Sequence, residues 1–490
     1  MINIENNGTA RFSVKSEHIT LRAIKLNAST DFHDTLVSET VKHLYRGKIE
    51  ETEGQIFILD DILNEKTTVF IIPTPDSVMP SLKISEKTAE INTFGYPVSV
   101  GHAELFSGER LCRDWYKLHY RPKTLHAMSN TWGDRNGRSR VNDGFVRREI
   151  DSASELGLDA VQIDDGWQKG IPDKYDAEGL RVFEGDFWEL KEDIFPYGIA
   201  SLSDYARDRG IEMGLWFAPH SRGVFEHYKR DIGVLKKAYE EWKIRYFKLD
   251  MLQLESLSHS AAMLDFLDDI LAFGDGVSVE LDVTADKRLG YLLCAPYGTV
   301  FVENRYTAWA NYYPHRTLRN LWSLSRFIPA SKFQFELVNP ELYTDAYSAS
   351  DEFRPELYDI DYLFASVMLS NPLFWMETQF LSEKCRERLK AIIPTWKKHR
   401  DELASSDVYP IGEEPSGRAL TGFFADSRAG AHLLVFREVT ERDSFVFDLP
   451  REFSKAELVA SNTEVDFSQD NGKITVKLGK MRSYAWISLK

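Results

Sequence analysis

Lys248 and Asp250 stand two residues apart at the end of the apolar run Arg245-Tyr246-Phe247-Lys248-Leu249-Asp250, and at strand period they project to one side. A cation beside a carboxylate favours its ionised form. An ionised, fixed carboxylate at the C-terminal end of a barrel strand is the kind of nucleophile that glycosidases use. For a lone Lys-x-Asp, a structural ion pair is the plainer alternative. The surrounding pattern shifts that balance. Asn130-Thr131-Trp132, Asp164-Asp165-Gly166-Trp167, Trp216-Phe217-Ala218-Pro219-His220, Glu280-Leu281-Asp282 and Glu303-Asn304-Arg305 each close an apolar run on acids, aromatics or cations. Adjacent acids such as Asp164 and Asp165 can grip vicinal hydroxyls or hold a divalent cation, although Asp-Asp-Gly is also a common turn. A metal is disfavoured because no histidine or carboxylate cluster at ligand spacing accompanies them. No cofactor is expected.

These residues need a scaffold that brings successive strand ends to one rim. Eight short apolar runs fill that role: 125–132, 160–167, 212–219, 246–251, 277–284, 299–305, 333–339 and one within 364–375. Helical segments lie between them, one opened by Asn142-Asp143-Gly144 and ended at Gly157, another running from Ser201 to Gly210. Helical spacing also marks Glu104 to Lys117. Strands alternating with helices predict a parallel (β/α)8 TIM barrel, here over residues 106–404. Residues 1–105 alternate at period two and predict an N-terminal antiparallel, β-sandwich-like domain. Residues 405–490 do the same and predict a small C-terminal one.

Composition narrows the partners. The chain has 490 residues, 60 basic against 76 acidic, for a net charge of −16, which disfavours nucleic acid and anionic membranes. No apolar stretch reaches the roughly 18 residues needed to span a bilayer. Met1 to Ala10 carries no charged-then-apolar signal, and the odd set Cys112, Cys294 and Cys385 fits neither a disulfide framework nor a zinc site, so a reducing, cytoplasmic location is expected. Aromatics at 13% suit a sugar-binding surface as well as they suit a core. The expected partner is a glycoside or oligosaccharide, and homo-oligomerisation is left open.

Taken jointly, these motifs resemble the α-galactosidases of glycoside hydrolase family 36 and the wider melibiase clan, over about Met128 to Pro329. The resemblance rests on Asn130-Thr131-Trp132, on the run from Leu158 to Trp167, on the run from Met213 to Pro219, and on Tyr246 to Asp250. It implies Asp250 as nucleophile, Lys248 as a sugar contact, Asp164 and Asp165 on the hydroxyls at C4 and C6 of galactose, and Trp167 lining the pocket. Three departures stand out. Val283 to Arg288 replaces a Cys- and Gly-rich segment, leaving Arg288 as its retained arginine; Ala218 and His220 replace two acids; and Glu303-Asn304 replaces an Asp-Asp pair.

The expected activity is that of a retaining α-glycoside hydrolase with Asp250 attacking and Glu303 as acid/base, the two about 5 to 5.5 Å apart. Asp282 or Asp286 takes the proton role if Glu303 is displaced from the family's position. Trp132, Trp216, His220, Asp282 and Arg305 complete the candidate substrate-binding set, and Tyr306, Trp309, Tyr312 and Tyr313 are candidates for stacking on a leaving sugar. Two other readings remain: a non-catalytic carbohydrate-binding protein on a degenerate barrel, and a transglycosylase using the same covalent intermediate.

Overall fold

The computed structural model describes the chain except residues 1, 5–7, 15–17, 31–32, 46–49, 86–87, 121–123, 134–136, 173–182, 184 and 286. At its centre eight parallel strands close into a barrel: β1 (Met128–Asn130), β2 (Ala160–Ile163), β3 (Glu212–Phe217), β4 (Tyr246–Leu249), β5 (Ser278–Asp282), β6 (Thr299–Phe301), β7 (Phe333–Leu337) and β8 (Asn371–Phe374). They pair in sequence order, and Met128 and Ser129 meet Leu373 and Phe374 to complete the ring. All eight fall inside the runs expected from the sequence. Their apolar residues are buried on both faces, as a parallel sheet covered by helices requires.

The longer helices are α1 (Gly108–His119), α2 (Asp143–Leu156), α3 (Gly198–Arg207), α4 (Tyr228–Glu240), α5 (Leu257–Leu271), α6 (Pro314–Leu324), α7 (Ile360–Val367) and α8 (Glu383–Ser405). Local chemistry sets their ends. The Asn142 side chain accepts from Phe145 N and caps α2, and Gly157, at φ 80°, closes it in a left-handed turn. The helix expected from Glu104 starts late, because Val98–Glu104 is a strand paired antiparallel with Lys66–Ile71. Likewise α3 begins before Ser201 and ends at Arg207.

Before the barrel, a six-stranded and a four-stranded antiparallel sheet face each other, with Phe12 and Phe70 in ring contact at 4.7 Å. After it come a five-stranded and a three-stranded antiparallel sheet. The N-terminal lobe reaches the barrel's C-terminal rim directly. Ser29 Oγ donates to Val302 O at 2.6 Å, Ala285 N donates to Ser29 O at 2.9 Å, and Ser77 Oγ donates to Leu254 O at 2.5 Å. The connections that follow β4, β5 and β6 are therefore covered by the N-terminal sheets and their loops. No helix among the described residues is long and apolar enough to cross a membrane, and all three cysteines are free and buried.

Candidate active site

The floor of the site is built by β4 and β5. Asp250 leaves β4 with its N–H on Phe217 O at 3.0 Å. Its Oδ1 meets Arg288 Nη1 at 2.8 Å and accepts from Met251 N at 2.5 Å, and its Oδ2 accepts from Trp216 Nε1 at 3.0 Å. Met251 takes φ +58°, a costly conformation for a non-glycine residue. Burial alone would push the Asp250 carboxyl up. Arg288, Lys248 and the two hydrogen bonds outweigh it and hold the group well below the usual carboxylate range.

Lys248 projects into the same floor. Its Nζ donates to Asp164 Oδ2 at 3.0 Å, stands 3.9 Å from Asp282 Oδ2, and lies over the Trp375 ring at 4.7 Å. Burial opposes its charge, but Asp164, Asp250 and Asp282 outweigh that penalty and raise its pKa. Asp282 Oδ1 accepts from Thr284 N at 2.8 Å and Thr284 Oγ1 at 2.6 Å. Burial, and then the charge of Asp250, push Asp282 up to about 6 against the pull of Arg288 and Lys248. Two carboxyls on neighbouring strands thus share two cations yet are driven apart in acidity.

The β2 corner adds a second acidic pair. Asp164 Oδ2 also accepts from Asn130 Nδ2 at 2.8 Å, and its Oδ1 accepts from Asp165 N at 2.8 Å. Asp165 Oδ1 accepts from Gln168 Nε2 at 2.6 Å, while Oδ2 lies 3.2 Å from Arg138 Nη1. Burial raises Asp165 to about 6 despite these partners. Gly166 makes the contact with Arg138 feasible: a Cβ there would stand 2.7 Å from Arg138 Cβ, at φ +126°. Below the rim the barrel axis is polar. Asn130 Nδ2 also donates to Gln162 Oε1 at 2.7 Å, and Gln162 Nε2 donates to Glu280 Oε2 at 3.0 Å. Burial lifts Glu280 to about 8.

Of the residues singled out in the sequence, Asp164, Asp165, Lys248, Trp216, Asp250, Asp282 and Arg288 come together. Glu303 does not join them. Its Oε2 accepts from Thr317 Oγ1 at 2.8 Å and its Oε1 from Asn320 Nδ2 at 2.6 Å, both on α6, and the residue is 1% exposed, whereas the Asp250 side chain keeps 15% of its surface. The charges acting on Glu303 include those of Arg305 and Asp34, and Glu303 in turn acts on Glu336. Arg305 turns to the N-terminal lobe, donating to Thr30 O at 2.6 Å and His33 O at 3.2 Å. Trp167 is fully buried behind Trp216, donating to its carbonyl at 2.9 Å and packed between Trp188 and Trp242, so it supports the site without lining it. Trp132 is half-buried just beyond β1, its Nε1 donating to Tyr306 OH at 3.0 Å. Tyr306 and Tyr312 are buried, Tyr313 OH donates to Asp351 Oδ2, and Trp309 is 43% exposed at the rim. Asp286 lies outside the described residues. Arg138, Gln168 and Thr284 were not anticipated. They sit in irregular segments where neither periodicity nor spacing marks a residue.

Among the described residues two groups have the composition of a metal site, and the geometry of each argues against one. In His220, Glu226 and His227 the imidazoles stack at 4.5 Å with 19° between their planes, so their in-plane lone pairs do not converge on one point. In His399, Glu402 and His432, Trp486 Nε1 donates to His432 Nδ1 at 3.1 Å. The neutral ring then carries its proton on Nε2, facing Glu402 Oε2 at 3.2 Å, which leaves that nitrogen no lone pair for a metal.

Acids, cations and aromatics thus converge at the C-terminal ends of the strands of a closed (β/α)8 barrel, the end at which such barrels carry their active sites. Comparison with known proteins finds part of the chain similar to the melibiase family and nearly all of it similar in fold to family 36 α-galactosidases. Residues 102–261 match the family model described as Melibiase. The α-galactosidase Mel36A of Lactobacillus acidophilus is 32% identical over 111 residues, 23% of this chain and 13% of that protein. An α-galactosidase of Oryza sativa subsp. japonica is 27% identical over 122 residues, 22% of this chain and 26% of that protein. The sequence matches therefore span a minor part of these relatives. In fold the likeness extends much further. The family 36 α-galactosidase AgaA of Geobacillus stearothermophilus superposes with a TM-score of 0.67 at 13% identity, covering 98% of this chain and 76% of that one. The galactosidase domain of AgaSK does so with a TM-score of 0.68 at 13% identity, covering 97% and 77%.

Proposed function

We propose that the protein is a retaining α-glycoside hydrolase acting on α-galactoside-like substrates. The observation that carries this reading is the Asp250 carboxylate: ionised by Arg288 and Lys248, fixed by Trp216, and still partly open at the barrel mouth. Lys248, Asp164 and Asp165 bind the sugar hydroxyls. Asp250 attacks the anomeric carbon as the glycosidic C–O bond breaks, and a protonated carboxyl delivers its proton to the departing oxygen. Asp282 is the group this reading assigns to that role, because its acidity is set apart from that of Asp250 by burial and by Asp250 itself. A water molecule then attacks the glycosyl ester, Asp282 takes its proton, and Asp250 is released with the anomeric configuration retained. The galactose preference is supported by the likeness to α-galactosidases, and an oligosaccharide aglycone by the solved complexes of substituted AgaA variants with raffinose and stachyose. The exposed face of Trp309 is suited to stack on that aglycone.

The test is turnover of a panel of 4-nitrophenyl glycosides (α-galactose, α-N-acetylgalactosamine, α-glucose, β-arabinopyranose), with the first-formed anomer read by NMR. Release from the α-galactoside with an α-configured first product is expected. Binding of sugars without turnover of any member would instead make the chain a carbohydrate-binding protein, and product appearing on an added sugar acceptor rather than on water would make it a transglycosylase.

A further inference from the structure

In the N-terminal lobe, the segment between the strands Lys66–Ile71 and Ser81–Ile84 packs into the barrel rim. A Cβ built on Gly290 would stand 3.0 Å from Asp76 N, 3.4 Å from Pro75 C and 3.5 Å from Thr74 O. Gly290 also has φ +66°, so glycine is required both for its own conformation and for this approach. On the other side of the segment, Ser77 Oγ donates to Leu254 O at 2.5 Å, and Leu254 N donates to Lys287 O at 2.8 Å. The lobe therefore clasps together the two chain segments that leave β4 and β5, one just beyond Asp250 and the other just beyond Arg288.

Asp76 is the acidic residue that the lobe brings to this clasp. Its carboxylate accepts from Arg288 N and faces the guanidinium charge, and its Oδ1 is buried with no hydrogen-bond partner among the described residues. The Arg288 guanidinium itself is held through Nε, which donates to Thr284 O and Ala285 O at 3.0 Å each, and through Nη1 on Asp250. We infer that Asp76 is a positioning residue for the nucleophile: an anchor on Arg288 supplied by the N-terminal lobe, so that the reactivity of Asp250 depends on the docking of that lobe. Burial pushes the Asp76 carboxyl up to about 7 even with Arg288 beside it, a penalty that an uncharged turn residue would not incur. The inference rests on the assignment of Asp250 as nucleophile.

A residue that acts through another gives non-additive substitutions. Activity is measured on 2,4-dinitrophenyl α-galactoside for Asp76→Asn, Asp76→Glu, Arg288→Gln and the Asp76→Asn/Arg288→Gln double variant. Asp76→Asn is expected to lower kcat about tenfold with KM within about twofold, and Asp76→Glu to recover most of it. In the Arg288→Gln background, Asp76→Asn is expected to change kcat/KM by less than about twofold. Gly290→Ala, which displaces the segment but keeps the carboxylate, is expected to lower kcat as Asp76→Asn does. Equal factors in both backgrounds, or wild-type kcat in Asp76→Asn, overturn the inference. Asp250→Gly separates the two levels: if it is inert and recovers turnover with azide, a negative result for Asp76 counts against Asp76 alone. If it stays active, the nucleophile assignment fails first.

Discussion

Asp250 and Glu303 both stand just beyond barrel strands, Asp250 mostly and Glu303 fully enclosed, yet they reach opposite states. Around Asp250 two cations, an indole N–H and a backbone N–H overcome dehydration, and the carboxylate stays ionised. Around Glu303 the close donors are a hydroxyl and an amide, burial prevails, and the group rises to about 7. Burial alone does not assign a role to an acid; the charge and number of its donors do. The β4–β5 floor is organised to keep one carboxylate charged, whereas the β6 end is organised to join α6 to the barrel.

The contrast breaks or holds first at Asp250. Asp250→Ala should lower kcat on any aryl α-galactoside by about 10⁴-fold or more, the scale on which loss of a covalent nucleophile is felt. With azide present, the variant should form the β-configured glycosyl azide, because the small anion attacks from the face the carboxylate vacates. Residual activity within a hundredfold of the wild type would place the nucleophile elsewhere.

The two candidate proton donors separate next. Asp282→Asn should cost about 10² to 10⁴-fold on unactivated α-galactosides, the usual range for a lost general acid, and far less on dinitrophenyl substrates. Glu303→Gln should change neither by more than a few-fold, since Gln keeps an acceptor and a donor for Thr317 and Asn320. If the two variants exchanged these behaviours, the β6 residue would be the acid and the reading given to Asp282 would fall.

What the sequence could reveal follows the same division. The eight strands were legible because a barrel imposes short apolar runs at regular intervals, and the β2 and β4 rim residues were legible because their acids directly adjoin such runs. The direction of Glu303 was not legible, for a physical reason. Alternation fixes direction only while the chain stays in a strand, and β6 ends at Phe301, so parity no longer says where residue 303 points. Trp167 shows the same limit, since Gly166 turns the chain at φ +126° and sends the indole behind β3. Arg138 and Asp76 reach the site from irregular segments far away in sequence, and there no periodic signal exists to read.

The smallest effect follows from proton linkage, and it carries opposite signs at the two acids. Glu303 has its folded pKa raised from an ordinary 4.5 to about 7, so the folded state holds a proton that the unfolded chain releases between those values. Its contribution to stability is therefore present at low pH and lost as pH rises through about 7. Asp250 is depressed on folding, so its contribution is present above the unfolded value and lost as pH falls. Thermal unfolding from pH 5 to 8 should show Glu303→Gln slightly below the wild type at pH 5, by no more than about 1 kcal/mol, and gaining on it as pH rises. Asp250→Asn should stay below the wild type throughout that range, because it leaves Arg288 and Lys248 facing a neutral amide. Parallel Tm curves for Glu303→Gln and the wild type would mean that Glu303 is ionised in the fold, and the contrast between the two carboxyls would lose its electrostatic basis.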